Sequence, residues 1–371
     1  MMSMRHGRVD KPLLLLLFIL ILGGAAIFAS AAFGLLARGQ EGMTSVAFNH
    51  LVLGVGLGLI ALIVSAHVHY RNWRKFAPYL YGCALLGTAL VFVPGLGFTH
   101  GGGTRWIDIG GLSLQPSEAL KITSIIFAAA YFSAVRGRAE SLQWGLGGFF
   151  AIIALPAALL FFQPDIGTLI IIIIPVFVIY VVAGAQWRHI GVVMAIALIC
   201  FAALIYVKPH ARDRVMTFID PARNQLASGY QIRQSLIAIG SGQFMGRGFG
   251  QGIQKFTYLP EPMGDSIFAV AAEEFGFVGA VTIVLLFLAF GLRAYGIAVH
   301  TSDLFGGLLV IGISTYLVGE AFINIAAMLG LAPLTGVPLT FVSQGGSAML
   351  TSLASAGILL NISRIKRSSV V

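Results

Sequence analysis

Four places in this sequence gather residue types that hold anions and handle protons. Gln115-Pro116-Ser117-Glu118 is followed by Lys121; the others are Gln163-Pro164-Asp165, Gly264-Asp265-Ser266 and Ser343-Gln344-Gly345-Gly346-Ser347. Each opens an apolar stretch, and so each marks a helix start, where free N–H groups and partial positive charge favour an anion. Capping accounts for any one cluster taken alone. Ser117, Asp265 or Ser347 would satisfy helix N–H groups, and Glu118 would pair with Lys121 one turn on. Four clusters at one membrane depth ask for more, because ionisable residues in spans are functional candidates. Thr104-Arg105-Trp106 adds a guanidinium beside an aromatic ring, a pair that suits an anionic headgroup or an interfacial anchor. Glu273 and Glu274 fall about two turns into the stretch that Gly264-Asp265-Ser266 opens. Adjacent side chains on a helix diverge by about 100°, so at least one needs a protein partner or a water-filled cavity. Glu320, with Asn324 one turn on, reads as a buried polar network between helices.

The elements that must position these residues are apolar runs. They predict ten spanning helices, at 13–36, 46–66, 77–94, 117–135, 143–162, 168–184, 190–207, 266–292, 304–330 and 347–362. The 371 residues are 58% hydrophobic and 10% charged, with mean hydropathy +0.92. A soluble globular chain carries about 25% charged residues, so this one cannot cover an aqueous surface. Disorder, collagen and a disulfide scaffold are excluded by the same figures. The expected fold class is an all-α polytopic membrane protein, a single domain over 1–371. The 24-residue first stretch is too long, and followed by too many others, for a cleaved signal peptide.

The net charge is +9, from 23 Lys+Arg against 14 Asp+Glu. On a soluble protein this would suggest nucleic acid; on a polytopic one it reflects basic cytoplasmic loops, and no nucleic-acid partner is expected. With the N-terminus inside, the cytoplasmic segments hold thirteen basic residues, Arg71, Arg74, Lys75 and Arg136 among them, against Arg38 and Arg105 in the short outer loops. Both termini are expected in the cytoplasm. Residues 208–265 then form a large outer loop between helices seven and eight. Tyr230, Ile232, Leu236, Ile237 and Ile239 give it an amphipathic helix that Gly240 ends, which favours an ordered loop on the outer face.

Common enzyme motifs are absent: there is no GxxxxGK[ST], HExxH or GxSxG. The run Gly246-Arg247-Gly248-Phe249-Gly250-Gln251-Gly252 does not fit GxGxxG and follows no strand; it reads as a flexible turn. Cys83 and Cys200 lie in apolar runs, and the eight histidines show no ligand spacing.

The clusters, in this order, resemble the SEDS family of shape, elongation, division and sporulation proteins. The matching stretches begin with Gly103-Thr104-Arg105-Trp106-Ile107, Gln115-Pro116-Ser117-Glu118-Ala119-Leu120-Lys121 and Gln163-Pro164-Asp165-Ile166-Gly167-Thr168. They continue with Arg214-Val215-Met216, Asp220-Pro221, Gly229-Tyr230-Gln231 and Gln234-Ser235. Last come Tyr258-Leu259-Pro260-Glu261, Asp265 with Ile267-Phe268-Ala269, Glu273-Glu274, Gly336-Val337-Pro338-Leu339 and Ser343 to Ser347. Gln254-Lys255 ahead of Tyr258 looks slightly more like FtsW, while Gly336-Val337-Pro338-Leu339 is at home in RodA; the balance leans to FtsW. The sequence departs from many relatives at Met263-Gly264-Asp265-Ser266, where they have His-Thr-Asp-Phe, and at Gln344, where they have Tyr.

The resemblance implies a peptidoglycan glycosyltransferase. Such enzymes polymerise lipid II at the outer face of the cytoplasmic membrane, releasing undecaprenyl pyrophosphate, in division or elongation. The family works with a class B penicillin-binding protein, whose transmembrane helix packs near spans eight and nine, among divisome or elongasome proteins. Its essential acid precedes span eight, which on this chain is Asp265. The residue types suit the reaction: a carboxylate takes a hydroxyl proton while cations and helix N-termini stabilise a departing anion. Asp265 is thus assigned as general base. Arg105, Lys121 and Lys255 are expected at the pyrophosphate, Glu118 and Asp165 as groups that orient them, and Glu261, Ser343, Gly345, Gly346 and Ser347 around the substrate. The gathered acids are compatible with a divalent cation, for which the sequence names no ligand set. Two other classes compete. A lipid II flippase would place its polar residues across the midplane rather than at one face, and a scaffold for the transpeptidase would leave the clustered helix starts unexplained.

Overall fold

The computed structural model describes residues 9–36, 48–100, 103–109, 112–220 and 228–364. Arg38, and Arg5, Arg8, Lys366 and Arg367 among the thirteen cytoplasmic basic residues counted above, lie outside them. The described chain is mostly helical. In order the helices are α1 (Lys11–Leu36), α2 (a π-helical start, Asn49–Gly56, running into Leu57–His67), α3 (Tyr70–Leu90) and α4 (Pro116–Ala134). Next come α5 (Leu142–Leu146 as π-helix, then Gly147–Phe162), α6 (Ile166–Val182), α7 (Trp187–Val207), α8 (Pro209–Ile219), α9 (Ser228–Ser241) and α10 (Gln254–Thr257). The last are α11 (Ile267–His300), α12 (Leu304–Met328) and α13 (Gly346–Ser363).

Seven of these are long and apolar enough to cross a membrane: Lys11–Phe33, His50–His67, Leu142–Phe162, Trp187–Val207, Ile267–His300, Leu304–Met328 and Gly346–Ser363. Helices also stand at the other three expected ranges. Two carry charges that lower their hydropathy, Arg71, Arg74 and Lys75 on α3 and Glu118 and Lys121 on α4, and α6 has only 17 residues. Leu14, Leu15, Phe18 and Leu22 on α1, like Leu198 and Ile199 on α7, turn outward, as lipid-facing apolar side chains do. This is a helical membrane protein.

The expectation of an all-α chain is corrected in the first outer loop. Gly97–His100, Gly103–Ile109 and Leu112–Leu114 form an antiparallel three-stranded sheet in the order β1-β2-β3. Its β-branched and aromatic residues, Thr104, Trp106, Ile107 and Ile109, favour strands. A hydropathy reading tuned to 20-residue spans passes over such short elements. The sheet carries Arg105 on β2, with Phe98 opposite Trp106.

The interior is built from α4, α6 and α12, which pack on one another, with α11 against α12 and α3 against α4. The pairing of α2 with α13 depends on small residues. A Cβ on Gly357 would fall 2.0 Å from Ser65 Oγ, and one on Gly58 2.6 Å from Leu353 Cδ1. Such close backbone approach is what holds helices together where lipid removes the hydrophobic drive. Ser65 Oγ donates to the Ala354 carbonyl at 2.8 Å, and Asn361 Nδ2 to that of Ala66 at 2.9 Å. α7 differs: it packs on its successor α8 and buries only His189 and Val193.

The element expected as one helix at 266–292 is interrupted. Gly276 has φ 65° and ψ −164°, a conformation open to glycine, and splits α11 into a short buried piece, 267–275, and a long piece beyond. The interruption is sealed by the Gly-rich run expected as a flexible turn, which instead is ordered against it. The N–H groups of Phe277 and Val278 donate to the carbonyls of Gln243 and Phe244. Those of Arg247 and Gly248 donate to the carbonyls of Glu273 and Glu274 at 3.1 and 2.9 Å. Every backbone group that the break frees at these positions is thus satisfied, as burial requires.

Candidate active site

The four polar helix starts converge. Gln115 precedes Pro116, which opens α4 at a position where its missing N–H costs nothing. From there Gln115 Nε2 donates to Asp165 Oδ2 at 3.2 Å, and its backbone N–H to Ser347 Oγ at the start of α13, at 3.0 Å. Asp165 caps α6, accepting from Thr168 N and from Thr168 Oγ1. Arg105, from β2, lies 3.8 Å from the Asp165 carboxylate and donates to the carbonyls of Gln163 and Pro164.

The third and fourth clusters lock together through the backbone. Ser343 Oγ donates to the Gly264 carbonyl at 2.8 Å, and the Gln344 N–H to the Met263 carbonyl at 2.6 Å. Asn324 Nδ2 donates to the carbonyls of Asp265 and Val337, both at 2.8 Å. Asp265 is partly exposed and does not cap α11: the N-cap is Ser266, with no side-chain cap bond. Burial pushes the Asp265 carboxyl up from 3.8 to about 7; the Glu261 charge adds to this, and Arg214 and Arg105 oppose it. Arg214, on α8, donates to the Thr335 carbonyl at 3.1 Å and lies within electrostatic range of Arg105, Asp265 and Asp165. A carboxylate poised near neutrality beside two guanidinium groups can accept a proton next to a site for a phosphate anion.

Against known proteins, the family model described as cell cycle protein, for FtsW, RodA and SpoVE, matches residues 11–368. The chain belongs to this family. Stage V sporulation protein E of Bacillus subtilis is 37% identical over 316 residues, 85% of this chain and 86% of that one. A probable peptidoglycan glycosyltransferase FtsW of Geobacter sp. (strain M18) is 37% identical, covering 84% of this chain and 85% of its own length. Among solved structures, a peptidoglycan synthase complex described as coordinating polymerization and crosslinking superposes with TM-score 0.76 at 28% identity, over 97% of this chain and 99% of that one. The rod shape determining protein RodA of Thermus thermophilus gives TM-score 0.68 at 26% identity, over 97% of this chain and 98% of that one.

On this FtsW/RodA/SpoVE chain, two of the cations expected at the pyrophosphate are paired inside the fold. Lys255 is fully buried, with Nζ 2.6 Å from Glu274 Oε1 and 2.7 Å from Ser30 Oγ on α1. Lys121 is buried between Glu118, at 2.8 Å, and Glu320, at 2.5 Å. Both ammonium groups are spent on carboxylates, because a lone charge at such depth is costly and the fold supplies partners. Glu118 therefore belongs with the interior. Glu273 accepts from the N–H groups of Ile253 and Gln254 and lies 3.5 Å from Arg247 Nε. Asp165, Ser343 and Ser347 are buried at the joined helix starts; Gly345 caps α13 and Gly346 begins it, while Glu261 is exposed beside Asp265 with φ 45°.

Two residues of this site escape a reading by cluster. Arg214 is recognisable only as part of the family match, because its helix lies in the long loop, away from any span start. Asn324 reads as a companion of Glu320, yet it binds the segment that bears Asp265. Among the described residues no three or more His, Cys, Asp or Glu side chains are grouped to hold a metal ion.

Proposed function

We propose that this protein is a peptidoglycan glycosyltransferase that polymerises lipid II at the outer face of the bacterial cytoplasmic membrane. Asp265 is its general base. The observation that carries this is the Asp265 carboxylate, not used as a helix cap and within electrostatic reach of the Arg214 and Arg105 guanidinium groups, where four helix starts meet. In the reaction, the hydroxyl oxygen of one sugar bonds to the anomeric carbon of another. The hydroxyl proton passes to Asp265. The bond from that carbon to the pyrophosphate oxygen breaks, and its electron pair leaves on undecaprenyl pyrophosphate. Arg105 and the polar N-termini of α6 and α13 offset the charge that develops. Ser343, Ser347 and the Gly345-Gly346 backbone line the same end.

In this reading α3, α4 and α6 cross the membrane with the seven apolar helices, giving ten spans, cytoplasmic termini and an outer 208–265 loop. A class B penicillin-binding protein sits with its transmembrane helix near α11 and α12, where outward-facing Leu285, Leu288 and Leu292 offer an apolar surface. Its support is the likeness to a complex that couples polymerization with crosslinking. Divisome or elongasome proteins complete the setting.

Two measurements test this. Purified protein mixed with lipid II in detergent is expected to produce glycan chains on a gel; headgroup movement without polymer would instead favour a flippase, and neither product a scaffold. A cysteine at Ser228 is expected to react with a membrane-impermeant maleimide in intact cells, while one at Ser141 stays unlabelled. The opposite pattern would overturn the topology.

A further inference from the structure

Three successive residues between α12 and α13 join groups from three other elements. The Thr335 carbonyl accepts from Arg214 Nη1 at 3.1 Å, and the Val337 carbonyl from Asn324 Nδ2 at 2.8 Å. Between them Gly336 takes φ +72°, and the position of a Cβ there would be 3.6 Å from Asp265 Oδ2 and 4.0 Å from Arg214 Nη2. The acid and the guanidinium therefore flank the same bare glycine. Arg105 is differently employed, with Nε, Nη1 and Nη2 directed at Gln163, Asp165 and Pro164 at the start of α6.

We infer that Arg214 is a positioning residue of the proposed reaction: reaching back from the outer-loop helix across Gly336, it acts through Asp265 by holding that carboxylate ionised and turned toward the incoming hydroxyl. This rests on Asp265 being the base. The charges that face Asp265 are Glu261 on its own segment, Arg214 from α8 and Arg105 from β2, with Asp165 beside the two arginines. A cation next to a carboxylate favours its charged form, and an acid next to it the neutral one. The outer loop is thus part of the acid's tuning, and glycine suits the position between them because φ +72° strains any other residue there.

The test is the pH dependence of lipid II polymerisation by the full-length protein in detergent. A base works deprotonated, so the rate rises with pH through the carboxyl's ionisation. Removing the Arg214 charge moves that ionisation to higher pH. Arg214→Gln is expected to move the rising limb up by about one pH unit, about a tenfold loss at pH 6 that shrinks as pH increases. Arg214→Lys should restore most of it, and Glu261→Gln should move the limb in the opposite direction. Gly336→Ala, which strains the backbone at φ +72° next to the Thr335 carbonyl that holds Arg214, is a second route to the Arg214→Gln effect should that variant fold poorly. A loss equal at every pH, or a limb unmoved by Arg214→Gln and Gly336→Ala, would overturn the inference. Asp265→Asn measured in the same series separates the two ideas: polymer from that variant refutes the base itself, whereas an inactive Asp265→Asn with an unmoved Arg214→Gln limb refutes only the role of Arg214.

Discussion

Asp265→Asn is expected to reach the membrane at normal levels and make no detectable glycan from lipid II. Two properties of the site make this a sharp expectation. Asparagine caps helices about as well as aspartate, and here the cap position belongs to Ser266 in any case, so the change leaves the start of α11 intact. The Asp265 backbone carbonyl, held by Asn324, is untouched. What disappears is a group that accepts a proton, and a positioned base is worth about 10²–10⁴-fold in rate. Asp265→Glu should retain only a trace, because one more methylene moves the carboxylate by about an ångström, enough to lose reactive geometry. The wild-type rate should climb as pH passes about 7, the value to which burial lifts this carboxyl. Near wild-type polymerisation by Asp265→Asn would eliminate the base assignment.

The largest effect on stability is expected at Lys121. Its ammonium lies between the Glu118 and Glu320 carboxylates, 5.6 Å from the centre of the Tyr316 ring, with all of these side chains buried or nearly so. Thr340 Oγ1 reaches Glu320 at 3.3 Å, and Thr351 Oγ1 reaches Glu118 at 3.5 Å. One cation therefore serves two acids from α4 and α12. Lys121→Met strands both, and an uncompensated buried charge costs about 3–5 kcal/mol. Glu118→Gln or Glu320→Gln leaves the other acid on the lysine and should be milder. Combining Lys121→Met with Glu118→Gln alone should not restore stability, since Glu320 remains; adding Glu320→Gln should. Thermal unfolding of the detergent-solubilised protein reads this directly. A Lys121→Met protein as stable as Glu118→Gln would refute the three-way arrangement.

The helices were legible because a bilayer demands long apolar runs, and the polar starts stood out against them. The pairing of Glu118 with Lys121 was legible too, since both sit on one helix at a spacing that forces proximity. Glu320 was recognised as buried and polar, but its partner is 199 residues away in the chain, and no local period reports that. The same holds for Lys255: a lysine in a polar loop reads as a contact for pyrophosphate, and only the fold brings it under Ser30, 225 residues away. Gly276 sits in a span-length apolar run that only Glu273 and Glu274 interrupt, so its break in α11 leaves no hydropathy signal of its own; the signal that does exist is the unusual density of glycines in the loop that receives it. The strands around Arg105 were too short to compete with span-length patterns.

The interrupted helix also bears on the order in which this region is made. The bonds from Gly250, Ile253 and Lys255 to Glu273 and Glu274 span only 19 to 24 residues of chain, and the receiving loop is synthesised first. Short closures cost little entropy and form early. The Gly-rich turn and the buried start of α11 can therefore fold as one local unit once about forty consecutive residues have emerged, whereas the segment of Asp265 waits for Asn324 of α12 and for Ser343 and Gln344. The contacts of Ser30 with Lys255 and Glu274 reach far back in the chain, to a helix already in the membrane by then.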